Sequence, residues 1–245
     1  MLRLLWLLPS ALAAAPPASP PPTPPTVAAG SVLRPTFTLT DGKTFTAGVA
    51  FAAEYNSETL VLTAYQLFGP PGGLPAAIPA DQMATQVKSG RMMDAFSKQS
   101  VGTDLVTVNV PGAHAMSSDA AGDLALFRVP VSLDRLGSGN SIPFHGLPLA
   151  AADPKNGDIV WMAGPVEGDT APLHAAHIVE VKPGFLFYAF DGTVNLLATS
   201  GSPLLNSKGE VVGIHLGGGV SDGQTIGAAG PVSTVRKNLA AALTP

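Results

Sequence analysis

The chain has 245 residues, of which 46% are apolar and 12% are charged, and its formal net charge is −4. This apolar content predicts a sizeable folded core and excludes a largely disordered protein. The charges form no basic stripe, so nucleic acid is not expected as a partner. The sequence has no cysteine, which excludes disulfides, thiol catalysis and metal sites built on thiolates.

The N-terminal segment has the features of a secretory signal peptide. Arg3 supplies a positive charge, residues 4–12 are mostly apolar, and alanine-rich cleavage sites follow at 11–13 and 13–15. The apolar stretch is shorter than the roughly 20 residues of a membrane-spanning helix. We therefore expect residues 1–15 to be removed, and the mature protein, with no membrane span, to reach the periplasm or the medium.

A proline-rich segment follows the predicted cleavage site. Residues 16–25 read PPASPPPTPP, which is typical of a solvated, semi-rigid polyproline helix. We interpret residues 16–30 as a spacer that stays outside the packed core. A ligand for a proline-binding groove is the alternative.

From Ser31 onward the sequence predicts many short β-strands separated by turn residues. Asp41-Gly42 is a tight-turn signal between two of them. This texture favours an all-β sandwich or barrel, and the absence of regularly alternating long helices argues against a parallel α/β sheet. The predicted strands are residues 36–39, 44–51, 59–63, 105–110, 124–129, 158–162, 177–181, 185–190 and 210–216.

Two segments favour helix. Residues 79–87 form a short candidate with an acidic residue, Asp81, in the first turn. Residues 231–243 are the stronger candidate, because Pro231 suits a first helical turn and Ser233 is a candidate cap. The second segment carries an apolar stripe that can pack on a barrel: Val232, Val235, Leu239 and Leu243.

The segment around Ser200 is the most informative part of the chain. A serine nucleophile needs a tight glycine-containing turn that exposes its hydroxyl and directs backbone N–H groups at one point. Residues 200–203 read SGSP, a turn at 206–209 follows, and residues 210–218 read EVVGIHLGG. This combination resembles the serine-bearing segment of the trypsin-like serine protease family, and most closely that of bacterial glutamyl endopeptidase-like members.

Two earlier segments occur in the order that this family requires. Residues 60–68, LVLTAYQLF, resemble its histidine segment, and residues 123–129, DLALFRV, resemble its aspartate segment. The resemblance implies two six-stranded antiparallel β-barrels with a C-terminal helix, at residues 31–135 and 136–245, joined near residues 131–141. It also implies Ser200 as nucleophile position and Asp123 as acid position, with no cofactor and no metal.

The position of the family's catalytic histidine holds Gln66 in this chain. A glutamine amide has no basic nitrogen and cannot take the serine proton near neutral pH. Losing the base of such a triad can cost on the order of 10⁶ in turnover. We therefore expect an inactive site in which Asp123 accepts the Gln66 amide and Gln66 accepts the Ser200 hydroxyl.

The resemblance places the oxyanion hole at the backbone N–H groups of Ala198 and Ser200. The family usually has glycine at the position of Ala198, because glycine tolerates a positive φ and alanine tolerates it poorly. The sequence alone therefore does not guarantee that this N–H points correctly.

The family resemblance also places His215 and Gly217 in the substrate pocket, where His215 would contact an acidic side chain of a peptide. The alternative is an ordinary buried strand histidine. His114, before Asp123, is a weak candidate for a substitute base, and His145 is expected to be ordinary. His174 and His177 lie three residues apart, but no third metal ligand is nearby, whereas catalytic zinc needs three.

Three functions remain open. The first is a non-catalytic protease homologue that binds peptide or protein segments in the cleft between the barrels. The second is a working serine endopeptidase with an unusual or weak base and a preference for acidic residues. The third is an exported structural scaffold whose cleft has no ligand.

Overall fold

The computed structural model describes residues 22–108, 110–111, 122–129 and 141–243. The predicted signal peptide, residues 16–21 of the predicted spacer, the loop with His114 and residues 131–140 of the predicted link lie outside the described residues. Within the described ranges, no helix is long and apolar enough to cross a membrane.

The first half of the chain forms a closed barrel. Six strands follow one another in the order β1-β5-β6-β7-β4-β3, and pairing of Val32 in β1 with Phe51 in β3 closes the ring. The short strand β2 pairs with the outer part of β1. The strands are β1 (Val32–Leu39), β2 (Thr44–Thr46), β3 (Ala50–Tyr55), β4 (Glu58–Thr63), β5 (Val87–Asp94), β6 (Ser100–Thr107) and β7 (Ala125–Arg128).

The second half forms another closed six-stranded barrel, in the order β10-β11-β14-β13-β12-β9. A short strand, β8 (Leu147–Pro148), precedes it and pairs in parallel with β3 of the first barrel. The predicted fold, two six-stranded barrels followed by a helix, is confirmed. The strands of the second barrel are β9 (Ile159–Ala163), β10 (Leu173–Lys182), β11 (Phe185–Phe190), β12 (Pro203–Leu205), β13 (Val211–Ser221) and β14 (Gln224–Pro231).

The helices differ from their predictions in detail. The candidate at 79–87 is a 3-10 turn, Ala80–Gln82, followed by the single turn α1 (Met83–Gln86), because Val87 already begins β5. The C-terminal helix is α2 (Val232–Leu243), and it buries the predicted apolar stripe except for its last residue, which is partly buried. Ser233 is not the cap that the sequence suggested, because its N–H and hydroxyl both donate to the carboxylate of Asp153.

The end of the predicted spacer is packed rather than solvated. Pro25 is buried, and Val27 packs against a hydrophobic cluster. That cluster contains residues of both barrels, including Phe51 and Leu62 of the first and Ile214 of the second. The contact between the barrels is therefore a continuous core, which fixes the two walls of the cleft relative to each other.

Candidate active site

The turn that carries Ser200 is held from both barrels. The N–H of Val49, in the first barrel, donates to the Ser200 carbonyl at 2.8 Å, and the Gly201 N–H donates to the His215 carbonyl at 2.7 Å. Gly201 has a φ of 91°, and a Cβ there would lie 2.0 Å from the Val49 carbonyl oxygen. Only glycine fits this position, so the turn brings the Ser200 backbone against the first barrel.

Ala198 takes the left-handed backbone conformation that glycine favours, with a φ of 58°. This conformation costs an L-residue about 1–2 kcal/mol, so the surrounding structure must hold it. Among the described residues, the N–H groups of Ala198 and Ser200 donate no hydrogen bond. Both donors are therefore available to a negatively charged oxygen beside Ser200.

The predicted triad positions are joined by a chain of hydrogen bonds. The backbone N–H of Gln66 donates to Oδ1 of Asp123 at 2.8 Å, and the Gln66 side-chain Nε2 donates to the Leu216 carbonyl oxygen. The Ser200 Oγ donates to the same Leu216 oxygen at 3.0 Å. Gln66 and Asp123 are buried, with exposed fractions of 8% and 4%, whereas Ser200 is half-buried.

This arrangement differs from the hydrogen-bonded remnant that the sequence suggested. Asp123 accepts the backbone N–H of Gln66 rather than its side-chain amide. The Ser200 hydroxyl donates to Leu216 rather than to the Gln66 carbonyl. Both side-chain donors are instead satisfied at one point, because the two lone pairs of the Leu216 carbonyl oxygen accept the Gln66 NH₂ and the Ser200 hydroxyl together.

His215 lies in the interior of the second barrel with no exposed surface. Its Nδ1 is 2.6 Å from the Tyr188 hydroxyl, and burial lowers the pKa of His215 to about 4. It is therefore neutral at neutral pH, and it is not among the residues that line the cleft. Its predicted contact with an acidic side chain stays a prediction that this buried position does not support.

A cavity of about 1010 Å³ lies in the cleft beside Ser200. Ala198, Ser200 and Gly217 line it, together with two more glycines of β13, Gly218 and Gly219. The predicted substrate-pocket residue Gly217 thus faces the cavity, and a Cβ there would meet no atom within 4 Å. Gln66 and Asp123 lie behind this surface and do not line the cavity.

Sequence reasoning missed Arg34, which also lines the cavity. Its Nη1 donates to the carbonyl oxygens of Gly48 at 2.7 Å and Ala198 at 2.9 Å. A single arginine in a strand forms no recognisable motif. The only sign of Arg34 in the sequence was that a basic residue interrupts the apolar residues at the start of β1. The sequence also gave no sign of the role of the Leu216 carbonyl, which is a backbone atom.

The remaining histidines have local partners. On β10, His174 is buried with Nε2 at 3.2 Å from the Gly164 carbonyl oxygen, whereas the Nδ1 of His177 lies 3.9 Å from a carboxylate oxygen of Asp191. Residues three apart on a strand point to opposite faces, so these two side chains do not converge on one ion. Within the part of the chain that is described, no group of three metal-ligating side chains occurs. His145 is exposed.

Solved structures of other proteins resemble the chain in fold. The structure is similar to the active form of the Rv3671c protease from M. tuberculosis, with 18% identity, a TM-score of 0.54 and coverage of 95% of this chain and 96% of that chain. The serine endoprotease from Yersinia pestis has 17% identity and a TM-score of 0.53, over 86% of this chain and 61% of that chain. The thermostable serine protease AL20 from an extremophilic microorganism has 13% identity and a TM-score of 0.54, over 89% of this chain and 99% of that chain. No curated protein sequence matches the chain significantly.

At such low identities these similarities show the fold alone. The family model for the trypsin-like peptidase domain matches residues 46–214, which is more than half of the chain. That match runs from the end of β2 in the first barrel, through the Ser200 turn, into β13 of the second barrel. The narrower resemblance to glutamyl endopeptidases stays a prediction. The chain belongs to the trypsin-like peptidase domain family.

Proposed function

We propose that this protein is an exported trypsin-like protease homologue that binds extended peptide segments in its cleft without cleaving them. The observation that carries the proposal is the hydrogen bonding of Gln66, whose amide shares the Leu216 carbonyl with the Ser200 hydroxyl. The Ser200 proton is thus directed at a backbone oxygen and not at a base. Because an amide cannot carry that proton away, Ser200 stays a weak nucleophile.

The open edge of β13 supports peptide binding. Strand β12 pairs with β13 only as far as Ile214, whereas β13 continues to Ser221. Strand β14 covers the other edge. The Ser200 turn and Gln66 occupy the backbone groups of His215 and the Leu216 carbonyl, so the edge is open toward the cavity from Gly217 onward. An open strand edge binds an extended peptide by adding it as a further strand. Glycine at 217–219 lets a second backbone approach closely.

A working endopeptidase is the second candidate. The free N–H groups of Ala198 and Ser200 favour it, because they leave the donors of an oxyanion hole in place. The two candidates differ in one property, which is whether Ser200 reacts with an electrophile at neutral pH. Export, in both cases, rests on the signal-like sequence of residues 1–15.

A fluorophosphonate probe, which modifies activated serines, separates these candidates. We expect the mature protein to stay unlabelled and a Gln66→His variant to be labelled at Ser200, because the new imidazole supplies a base. The control is Gln66→His combined with Ser200→Ala, which must not react. Labelling of the unmodified protein at Ser200 would overturn the proposal of an inactive site.

Peptide binding is tested separately with fluorescent, N-acetylated decapeptides of extended sequence. A Gly217→Val variant fills part of the cleft, and its Cβ would meet no atom within 4 Å, so we expect it to weaken binding while the protein stays folded. Ala175→Val, on the exposed face of β10, is the matched control and should bind as the unmodified protein does. Equal binding by both variants, or no binding by the unmodified protein, would favour the scaffold function instead.

A further inference from the structure

One arginine links the two walls of the cleft next to Ser200. Arg34 belongs to β1, and its Nη1 donates to Gly48 at 2.7 Å and to Ala198 at 2.9 Å. Gly48 lies just before β3 of the first barrel, and Ala198 lies in the turn of the second barrel. The guanidinium is therefore held in one place, against Ala198, which lies two residues before Ser200 in the sequence.

Most of the hydrogen-bonding capacity of Arg34 is unused. A guanidinium has five N–H donors, and the two on Nη1 serve Gly48 and Ala198. For the Nε–H and the Nη2 hydrogens, the described chain provides no acceptor, and no described carboxylate forms an ion pair with Arg34. The Nε and Nη2 donors form an edge that fits the two oxygens of a carboxylate.

The surroundings make this cation an attractive partner for an anion. Of the described residues that line the cavity, Arg34 is the only charged one, and most of the others are apolar or glycine. Burial lowers the pKa of Arg34, because the cavity wall removes part of the water that stabilises the cation. A bound anion would replace that lost hydration, so the free energy of binding gains from the pairing.

We propose that the cleft selects peptide segments that carry a carboxylate, and that Arg34 is the residue that binds it. This inference rests on the proposed function, because it names the chemical class of segment that the cleft takes. The carboxylate belongs to a glutamate or aspartate side chain or to the C-terminus of the segment, and both sources present the same two oxygens. Buried, neutral His215 offers no positive charge to such a group.

The test compares peptides that differ in one functional group. A glutamate is moved through each position of an N-acetylated, C-amidated decapeptide of small and β-branched residues, and each peptide is paired with its glutamine counterpart. A further pair compares the free C-terminal acid with the amide. Binding to the mature protein is measured by fluorescence anisotropy at two salt concentrations. We expect at least one acid to bind about tenfold more tightly than its neutral counterpart.

Variants assign that preference to Arg34. Arg34→Gln should reduce the ratio of acid to neutral affinity to about one, and Arg34→Lys should retain part of it, because lysine keeps the charge but loses the planar fork. Arg128→Gln, on β7 and outside the cavity lining, should leave the ratio unchanged. A variant that merely deforms the cleft would weaken both members of each pair equally.

The outcomes separate this inference from the proposed function. Binding of neutral and acidic peptides with equal affinity would overturn the role of Arg34 and leave peptide binding intact. An acid preference that survives Arg34→Gln would also overturn it, and would assign the carboxylate to another group. Failure of every peptide to bind would overturn both proposals together.

Discussion

Buried His215 should make the stability of the second barrel depend on pH. In the folded protein the pKa of His215 lies near 4 because of burial, whereas an exposed histidine titrates near 6.5. The unfolded chain therefore binds the proton first as the pH falls. Each pKa unit corresponds to 1.36 kcal/mol, so the difference predicts a loss of about 3 kcal/mol of unfolding free energy between pH 6.5 and pH 4.

The direction follows from the depressed pKa. The contribution of neutral His215 to the unfolding free energy is fully present above pH 6.5. As the pH falls it declines, because the unfolded chain becomes protonated, and it is lost once the pH falls below the folded pKa of about 4. A His215→Gln variant cannot titrate in this range. This variant should be less stable than the unmodified protein at pH 7, because the contact with Tyr188 changes. Between pH 7 and pH 4, however, its unfolding free energy should fall by about 3 kcal/mol less than that of the unmodified protein.

Urea unfolding at pH 7 and pH 4 measures this difference. Without residues 1–15 the chain retains a single tryptophan, Trp161, which is buried in the second barrel and reports its unfolding. Asp94 also has a lowered pKa: burial would raise it, but backbone N–H groups that donate to the carboxylate outweigh burial. That contribution is shared by both proteins and cancels in the comparison. Identical pH dependence in the two proteins would refute the assignment to His215.

Backbone conformation in the Ser200 turn gives two further predictions. Ala198→Gly should raise the unfolding free energy by up to about 1 kcal/mol in thermal or urea unfolding, because glycine adopts the φ of 58° without strain; a loss of stability would show that Ala198 is not strained. Gly201→Ala should lower the unfolding free energy by about 3 kcal/mol, since its Cβ would lie 2.0 Å from the Val49 oxygen. Gly223→Ala, with a φ of 77° but no atom within 4 Å, is the matched control, and an equal cost at both positions would exclude the steric explanation.

The overall fold was predictable because three motifs occur in a fixed order, whereas four strands were not: the short strands β8 and β12, and the longer strands β14 and β5. Strand β14 reads QTIGAAGP, and after Thr225 and Ile226 it contains only glycine, alanine and proline, which are depleted in strands. Its small residues have a packing reason: a Cβ on Gly227 would lie 2.3 Å from the Tyr188 ring. Strand β5 was missed because charged and glycine residues interrupt its alternation, as at Gly90. Both strands are specified by their neighbours more than by their own composition.

The candidate site was predictable in its side chains but not in its hydrogen bonds. Motif spacing identified Gln66, Asp123 and Ser200, and these residues belong to one hydrogen-bonded chain. The carbonyl of Leu216, which connects Gln66 to Ser200, has no sequence signature because every residue has a carbonyl. Arg34 escaped prediction for a related reason: its partners are two backbone oxygens brought together only by the packing of the barrels.

The Ser200 turn does not depend on a base for its shape. The Val49 N–H donates to the Ser200 carbonyl, and the Gly201 N–H donates to the His215 carbonyl. The Arg34 guanidinium donates to the Ala198 carbonyl. None of these contacts involves the side chain of Gln66, so a change of residue there leaves the turn and its two free N–H donors in place. The positive φ of Ala198 beside Ser200 therefore does not require a base at position 66. The same contacts align the two walls of the cleft, because Arg34 joins the Ala198 carbonyl of the second barrel to the Gly48 carbonyl of the first.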